Sequence, residues 1–181
     1  MDLLQGRPND CNCREAREVR TYNFLDQLNI FYERVDHPAA QTMEDCVAVD
    51  LALGAPMCKN LFLCNRQGTV FYLLLMPGEK PFRTKELSGQ LGVARLSFGS
   101  AEDMEARLGL LPGSVSVMGL INDTEGQVRL LIDKDLMGAA EIGCHPLVNT
   151  SSLAFSMREL LEKVLPATGH TPTVVELTGG E

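Results

Sequence analysis

Two apolar runs separated by a short polar turn constrain the fold of this chain more than any other feature of its sequence. The runs occupy residues 61–64 and 70–75, and Asn65-Arg66-Gln67-Gly68 lies between them. Short apolar runs rich in Leu, Phe and Val and joined by turn residues predict a β-hairpin. We therefore expect a sheet to be built around residues 61–75.

Helices and further strands are predicted on both sides of this hairpin. Helices are expected at residues 14–28, 42–54, 84–91, 100–109 and 156–166, where capping boxes, three-residue apolar steps, glycines and prolines mark the elements. Strands are expected at 30–35 and 95–98, and a second hairpin at 115–121 and 128–132. Residues 173–177 add either a late strand or a loose tail. Because the order lacks a regular βαβ alternation, we predict an α+β fold with a mixed central sheet flanked by helices.

The length and the apolar pattern indicate one domain, residues 1–181, with a sizeable core. No apolar run approaches the roughly 20 residues that a membrane-spanning helix needs. Residues 1–7 lack the basic segment and apolar stretch of a secretory signal. We therefore expect a cytoplasmic protein that does not contact a membrane.

The cysteines and histidines do not predict disulfides or a metal site. Of the six cysteines only Cys11 and Cys13 lie close together, and no C-x-x-C pair begins a zinc site. Reduced thiols, mostly acting as small core residues, are expected instead. Among the three histidines, His37 precedes Pro38 in a turn and is interpreted as structural, and His170 is expected to be solvated in the C-terminal tail.

Charge and motifs exclude several classes of function. The net charge of −8, from 16 basic and 24 acidic residues, argues against a protein that coats a nucleic-acid backbone, and DNA binding is not expected. The sequence also lacks the G-x-S-x-G elbow, the G-x-x-x-x-G-K-[ST] phosphate loop, G-x-G-x-x-G and H-E-x-x-H. The candidates for chemistry are therefore two segments that depart from simple helix or strand patterns.

The first candidate segment is Lys59-Asn60, at the mouth of the predicted buried strand. A charged side chain at such a position is costly to bury unless it has a partner. One interpretation is a strand-end lysine that reaches solvent. The other is a cation placed to bind a phosphate.

The second candidate segment is residues 138–150, where Gly143 and Pro146 bracket Cys144 and His145. A sharply turned backbone can present free N–H groups to an anion or to a developing oxyanion. A plain turn with a half-buried histidine is the alternative. A nucleophilic Cys144–His145 pair is a weak hypothesis, because adjacent residues seldom aim their side chains together and no orienting third group is evident.

At these segments the chain resembles the YbaK and prolyl-tRNA synthetase editing-domain family, in its free-standing alanine-specific deacylase branch. The resemblance covers roughly residues 20–165. It rests on Lys59-Asn60-Leu61-Phe62-Leu63, Leu96-Ser97-Phe98, Pro112-Gly113-Ser114-Val115, Gly119-Leu120-Ile121-Asn122-Asp123 and His145-Pro146-Leu147-Val148-Asn149-Thr150. It implies a barrel-like mixed sheet, no metal or other cofactor, and hydrolysis of mischarged proline tRNA, with delivery by prolyl-tRNA synthetase left open. The resemblance implies contact with the end of the tRNA alone, which an acidic protein can make.

The resemblance also implies roles for individual residues. Lys59 would hold a phosphate or ribose of the terminal adenosine, and Asn60 would position the same end. Backbone amides from Gly143 to Pro146 would bind the aminoacyl group and place the attacking water, assisted by the ribose hydroxyl of the substrate. His145 would line a small amino-acid pocket. Cys144, Pro146 and Asn149 would add substrate contacts, and we expect Lys59 and this loop to share one cleft.

Size is the physical basis of the implied selectivity. A synthetic pocket built for proline rejects the smaller alanine by only about 1–3 kcal/mol per missing methylene. A second, smaller hydrolytic pocket admits alanine and excludes proline, with His145 as one wall. Two alternatives stay open at this point: removal of cysteine or serine from the same tRNA, and a non-catalytic module that binds a tRNA end or another ligand.

Overall fold

The hairpin predicted from the two apolar runs lies at the centre of the structure, a computed structural model that describes residues 1–180. Its strands are β3 (Cys58–Cys64) and β4 (Phe71–Pro77), which pair antiparallel. Asn65 fixes the connecting turn, since its side-chain oxygen accepts hydrogen bonds from the backbone N–H groups of Thr69 and Val70. Because β4 is buried along nearly its whole length, the hairpin anchors the core.

Two open sheets make up the strand framework of residues 1–180. The other strands are β1 (Leu3–Gln5), β2 (Tyr32–Asp36), β5 (Ser97–Phe98), β6 (Val128–Asp133), β7 (Glu141–Cys144), β8 (Ser151–Ser156) and β9 (Thr173–Val175). The first sheet has the order β1-β2-β8-β7 and is antiparallel. The second has the order β5-β3-β4-β6-β9, with β6 parallel to both β4 and β9. The α+β fold with a mixed sheet is confirmed, although neither sheet closes into the barrel-like form that was expected.

Helices cover the sheets and connect their strands. The α-helices are α1 (Ala16–Gln27), α2 (Met43–Leu53), α3 (Thr84–Leu91), α4 (Ala101–Leu108), α5 (Lys134–Met137), α6 (Met157–Glu159) and α7 (Leu165–Thr168). The predicted capping box of α2 is present: Asp45 N–H donates to Thr42 Oγ1 at 3.1 Å, and Thr42 N–H donates to Asp45 Oδ2 at 3.0 Å. Each helix in residues 1–180 is too short or too polar to cross a lipid bilayer.

The prediction of a β-hairpin at residues 115–132 is wrong. Val117–Asn122 forms a 3₁₀ helix, and β6 pairs in parallel with β4 instead. The side chain of Ser116 caps this helix by accepting a hydrogen bond from Met118 N–H at 3.2 Å. A short helix that is buried on nearly all sides has the same uninterrupted apolar sequence as a buried strand, so the pattern alone does not separate them.

The end of the chain also differs from the prediction. The last helix does not stop at Pro166. A π-helical turn (Leu160–Val164) leads into α7, and Pro166 lies in the first turn of α7. Proline is tolerated there because a backbone N–H in the first turn has no intrahelical acceptor. Gly169, at φ 77°, ends the helix. Of the two possibilities for residues 173–177, the late strand forms as β9, and the side chain of Val175 is buried.

The core lies between the two sheets, and each sheet packs a helix on its outer side. Phe62 of β3 and Phe155 of β8 belong to the large central cluster. Leu63 of β3 and Leu87 of α3 belong to a second cluster on the outer face of the five-stranded sheet. A third cluster joins Leu53 of α2 to the outer face of the four-stranded sheet. Side chains of β3 therefore alternate between the central core and the α3 side.

Candidate active site

The two candidate segments meet at the backbone of Met57, which directly precedes β3. Met57 forms a parallel β-bridge with Gly143 of β7, and this bridge joins the two sheets. A Cβ atom added to Gly143 would lie 2.9 Å from the Pro56 carbonyl oxygen, and one added to Gly78 would lie 2.8 Å from the Met57 carbonyl oxygen. Both contacts are too short for any residue other than glycine without a backbone shift. We call Met57, Gly78 and Gly143 the Met57 junction.

Lys59 and Asn60 lie two and three residues beyond this junction, on opposite faces of β3. Cys58 and Phe62 pack into the central core, whereas Leu61 packs into the α3-side cluster. Since successive side chains of a strand alternate, Asn60 lies on the core face and Lys59 on the outer face. The two residues can thus contact a substrate only where it reaches both sides of the strand edge.

The side chain of Lys59 is half-buried and has a single hydrogen-bond partner within residues 1–180. Its Nζ donates to the backbone carbonyl of Lys80 at 2.7 Å, in the turn that follows β4. An ammonium group carries three donors, so two remain for another acceptor. The cation is held in place without being neutralised by a carboxylate of the described residues, which suits phosphate binding.

Asn60 contains a buried acceptor that the described residues do not satisfy. Its Nδ2 donates to the Cys58 carbonyl at 3.1 Å, while its Oδ1 is buried and has no hydrogen-bond partner within residues 1–180. Leaving such an acceptor unpaired costs about 1–3 kcal/mol. A donor supplied by a bound molecule, such as a ribose hydroxyl, would remove that cost.

Gly143 and Cys144 lie at the end of strand β7 and not in a loop, and the chain turns only after them. Cys144 is fully buried beside Cys58. Burial, with the neighbouring Cys58 adding to it, raises the pKa of the Cys144 thiol to about 12. At neutral pH this thiol is protonated, so the pairing of Cys144 with His145 as nucleophile and base is not supported by the structure.

Leu147 holds the turn after β7 in an unusual conformation. Its φ is 64°, in the left-handed region that non-glycine residues rarely adopt, and its side chain is buried in the central core. Burial of the leucine fixes the strained turn in place. Such strain costs about 1–3 kcal/mol and concentrates at functional sites. Burial of Leu147 therefore holds the turn after β7 in this one conformation.

His145 is fixed by two hydrogen bonds to the buried interior. Its Nδ1 lies 2.9 Å from the Ser151 carbonyl oxygen, and its own carbonyl accepts from Ser116 Oγ at 2.6 Å. A carbonyl only accepts, so Nδ1 carries the hydrogen and Nε2 of the neutral ring is an acceptor. Burial lowers the pKa of His145, and the nearby His37 lowers it further, against the effect of the Ser151 carbonyl. His145 is thus a neutral imidazole, and its Nε2 lone pair has no hydrogen-bond partner among residues 1–180.

A charged network lies behind Ser151. Ser151 Oγ donates to Asp36 Oδ1 at 2.7 Å, and Asp36 also pairs with Arg14 at 2.9 Å and with Arg34. Burial alone would raise the pKa of Asp36, but these hydrogen bonds outweigh it and hold the pKa below its usual range. The network fixes Ser151, whose carbonyl orients His145.

A surface hollow of about 500 Å³ lies above this network, lined by Arg14, Asp36, His37 and, from the turn after β7, Val148 and Thr150. The His37 ring lies 6.3 Å from the His145 ring and donates through Nδ1 to the Pro38 carbonyl at 2.8 Å. Its Nε2 lies 2.8 Å from Ser152 Oγ. His37 thus fixes the β2 end of the site, as its structural interpretation implied.

The remaining predicted site residues lie in the same turn. Pro146 is buried, and Asn149 is half-buried beside Gly113, where an added Cβ would lie 3.7 Å from Asn149 Nδ2. For His170 the expected solvation is wrong. It is buried, and its Nε2 lies 2.8 Å from Asp123 Oδ2, in a pair that ties the end of α7 to the turn before β6.

Several residues that support the site were not found from the sequence. Ser116 lies within a run that was interpreted as a strand, although a serine before an apolar run is also a helix-cap signal. Gly78 sits in Pro77-Gly78, a turn signal whose packing against Met57 is not visible in sequence. Ser151 and Lys80 contribute through their backbone carbonyls, which contact His145 and Lys59. These tertiary contacts cannot be predicted from a local sequence pattern.

Comparison with known proteins identifies relatives across most of the chain. The family model of the aminoacyl-tRNA editing domain matches residues 37–163. The prolyl-tRNA editing protein ProX of Acetoanaerobium sticklandii is 32% identical over 153 residues, which are 84% of this chain and 93% of that protein. Prolyl-tRNA synthetase associated domain-containing protein 1 of Danio rerio is 31% identical over 154 residues, 84% of this chain and 83% of that protein.

The fold has solved counterparts as well. A structure described as a proposed trans-editing enzyme for prolyl tRNA synthetase superposes with a TM-score of 0.66 and 19% identity, covering 90% of this chain and 98% of that one. A second structure, of the protein APE2540, superposes with a TM-score of 0.62 and 18% identity, covering 86% and 96%. At these identities the likeness concerns the fold.

Proposed function

The chain belongs to the aminoacyl-tRNA editing domain family and is an aminoacyl-tRNA deacylase, and from this premise we propose that its substrate is proline tRNA charged with alanine. The observation that carries the proposal is the Met57 junction, which joins Lys59 and Asn60 of β3 to Gly143 and the turn after β7. These two segments are far apart in sequence and carry the residue types that such a reaction needs.

The 3′ end of the tRNA would bind along the edge of β3. Two free donors of the Lys59 ammonium would bind a phosphate or ribose oxygen of the terminal adenosine, as a point charge beside an anion. Asn60 Oδ1 would accept a hydrogen bond from a ribose hydroxyl. Binding the nucleotide in this way would place the ester at Gly143.

Hydrolysis needs an attacking water and stabilisation of the developing oxyanion. In this reaction the water oxygen forms a bond to the carbonyl carbon, the bond from that carbon to the ribose oxygen breaks, and the water proton passes to the ribose oxygen. Backbone N–H groups after Gly143 would stabilise the negative charge on the carbonyl oxygen. The neighbouring ribose hydroxyl would assist the proton transfer. This mechanism uses no protein nucleophile, and the high pKa of the Cys144 thiol fits it.

His145 would select the amino acid by size. Its ring is fixed at the Ser151 carbonyl, and the strained, buried Leu147 holds the adjoining turn. A fixed wall can exclude the proline ring and admit alanine. The Nε2 lone pair of the neutral ring would in addition accept a hydrogen bond from the ammonium group of the substrate.

The partners follow from the same proposal. Mischarged tRNA is the substrate, and the names of the relatives link two of them to prolyl-tRNA editing or to association with prolyl-tRNA synthetase. We propose that prolyl-tRNA synthetase, which makes the mischarged product, delivers it to this chain. The reaction itself requires only the charged 3′ end.

The test is hydrolysis of proline tRNA charged separately with alanine, cysteine, serine and proline. We expect rapid release of alanine, slower release of serine and cysteine, and no release of proline above the uncatalysed rate. Faster removal of cysteine or serine than of alanine would reassign the substrate. Binding of the charged tRNA without hydrolysis of any ester would contradict the deacylase and favour a binding module.

A further inference from the structure

We propose that Lys80 is a positioning residue for Lys59, and that the C-terminal segment, residues 173–179, completes its binding site. The inference rests on the proposed function, because it concerns the lysine that would bind the terminal adenosine. It adds a support for the Lys59 side chain that reaches through Lys80 to Leu177 of the C-terminal segment.

The first link is the hydrogen bond between Lys59 Nζ and the Lys80 carbonyl, at 2.7 Å. A lysine side chain has four flexible carbons, and ordering it costs up to about 2 kcal/mol in rotamer entropy. The hydrogen bond to the Lys80 carbonyl orders part of the Lys59 side chain before substrate binds, so less rotamer entropy is lost on binding. The position of this carbonyl therefore decides where the Lys59 ammonium points.

The second link is the side chain of Lys80, which is saturated with acceptors. Its Nζ lies 2.7 Å from Asp133 Oδ2, 2.6 Å from Asp135 Oδ2 and 2.6 Å from the Leu177 carbonyl oxygen. Burial alone would lower the pKa of Lys80, but its bonds to Asp133 and Asp135 outweigh this and raise it. All three donors of Lys80 are thus used for anchoring, and none is free for a substrate.

The third link is the C-terminal segment itself, which is fixed on two sides. Gly179 has a φ of 79°, and an added Cβ would lie 3.2 Å from Lys80 Cγ and 3.1 Å from Pro81 Cδ. Glu86 of α3 accepts hydrogen bonds from Thr178 Oγ1 at 2.8 Å and from Gly179 N–H at 3.3 Å. The segment therefore closes over Lys80 and supplies one of its three acceptors.

The C-terminal segment lies beyond the part of the chain that matches the family model, which ends at residue 163. Asp133 and Asp135 lie inside the matched part, whereas Leu177 lies outside it. The third acceptor of Lys80 therefore comes from a residue outside the matched range. On this proposal the C-terminal segment supports the activity of the site through Lys80.

Chemical labelling of Lys59 tests the proposal without any assay of activity. The full-length protein is treated with limiting acetic anhydride, and acetylation of the Lys59 amine is measured by mass spectrometry. In Lys80→Met and Gly179→Ala the carbonyl at residue 80 is displaced, so we expect Lys59 to react several-fold faster. The control is Lys134→Met, which removes an exposed ion pair between the same segment and α5 without touching Lys80. Equal labelling in all four proteins would overturn the proposal.

Kinetics supply the second readout, and an epistasis test separates positioning from general destabilisation. We expect Lys80→Met and Gly179→Ala to lower the single-turnover rate on alanyl-tRNA about 10- to 100-fold, the scale of a small displacement of a catalytic group. In a Lys59→Ala background the same changes should have no further effect on the rate. A multiplied loss would assign Lys80 a purely structural role.

Two further comparisons keep both results interpretable. Lys80→Met removes the cationic partner of the buried Asp133, which keeps only its hydrogen bond from Asp135 N–H. Asp135→Asn, at an exposed carboxylate, and Lys80→Arg, which restores the charge, are therefore measured beside it. Recovery of slow Lys59 labelling in Lys80→Arg supports the proposal, and its absence in a folded protein contradicts it. A wild-type protein that hydrolyses no charged tRNA would contradict the proposed function, while the labelling result still decides whether Lys80 positions Lys59.

Discussion

Ser116 Oγ donates a hydrogen bond of 2.6 Å to the backbone carbonyl of His145, and this bond ties the 3₁₀ helix to the turn that would hold the amino-acid pocket. The same oxygen accepts from Met118 N–H at 3.2 Å. A single buried hydroxyl therefore caps the start of the 3₁₀ helix and holds the main chain of His145. Together with the Ser151 carbonyl, it fixes His145 from both its main chain and its ring.

Ser116→Ala is expected to loosen His145 and reduce discrimination between alanine and proline. The His145 carbonyl would lose its side-chain donor in a buried site, at a cost of about 1–3 kcal/mol in the free energy of unfolding. The control is Ser114→Ala, whose Oγ donates to the Leu111 carbonyl at 2.9 Å. Both variants should unfold at lower urea concentration, but only Ser116→Ala should raise the hydrolysis of prolyl-tRNA relative to alanyl-tRNA. An unchanged ratio would remove Ser116 from the selectivity account.

Gly143→Ala is expected to separate the two halves of the site. The added methyl group would lie 2.9 Å from the Pro56 carbonyl oxygen and 3.2 Å from Met57 Cα, so the backbone has to shift. We expect deacylation to fall by at least about 10-fold, the scale of a small displacement at a reacting centre. Gly138→Ala is the control, because no atom lies within 4 Å of its added Cβ. Similar activity of both variants would show that the close approach at Gly143 does not matter for turnover.

Sequence patterns correctly predicted the elements that depend on interactions between residues close together in the chain. The hairpin at residues 61–75 and the capping box at Thr42 follow from short-range chemistry, and both are present. The two candidate segments were also found from sequence, because Lys59 and Gly143 interrupt apolar or regular patterns. Their meeting at Met57 is a long-range contact and has no local signature.

The failures share one physical cause, which is a tertiary partner that the sequence does not identify. His170 was predicted to be solvated in the C-terminal tail, but it pairs with Asp123 of the turn before β6. Pro166 looked like a helix end, but the π-helical turn places it where no N–H is required. Leu147 gives no sign of its positive φ, since only burial of its side chain in the core makes that conformation tolerable.

Acid is expected to destabilise the protein partly through His145. Its pKa is lowered in the folded state, so below the ordinary histidine value of about 6.5 the unfolded chain binds a proton that the folded chain resists. The contribution is complete above that value and is lost as pH falls towards the folded pKa. Urea denaturation at pH 7.5 and 5.5 should therefore show a smaller pH-dependent loss in His145→Gln than in wild type. An equal loss in both proteins would contradict the lowered pKa.

His145→Ala separates a steric wall from a general base. As a wall, its removal should let prolyl-tRNA be hydrolysed while alanyl-tRNA turnover survives in part. As a base, its removal should lower the rate on every substrate alike by about 10²–10⁴. We expect the first result, because the ring is fixed by Ser151 and its turn by Leu147. The measurement is the ratio of the two hydrolysis rates, and a uniform collapse without gain on proline would assign His145 to chemistry.

The most direct test of one shared site at the Met57 junction is a double-mutant cycle between Lys59 and His145, read as single-turnover rates on alanyl-tRNA. Lys59→Ala should strongly reduce the rate and leave the fold intact, whereas Lys85→Ala, at an exposed lysine of α3, should not. Groups that act on one bound ester lose rate non-additively, with coupling of about 0.5–3 kcal/mol. We predict that the double variant retains more activity than the product of the two single losses. Losses that multiply would show that Lys59 and His145 act at separate places, and would contradict the shared site.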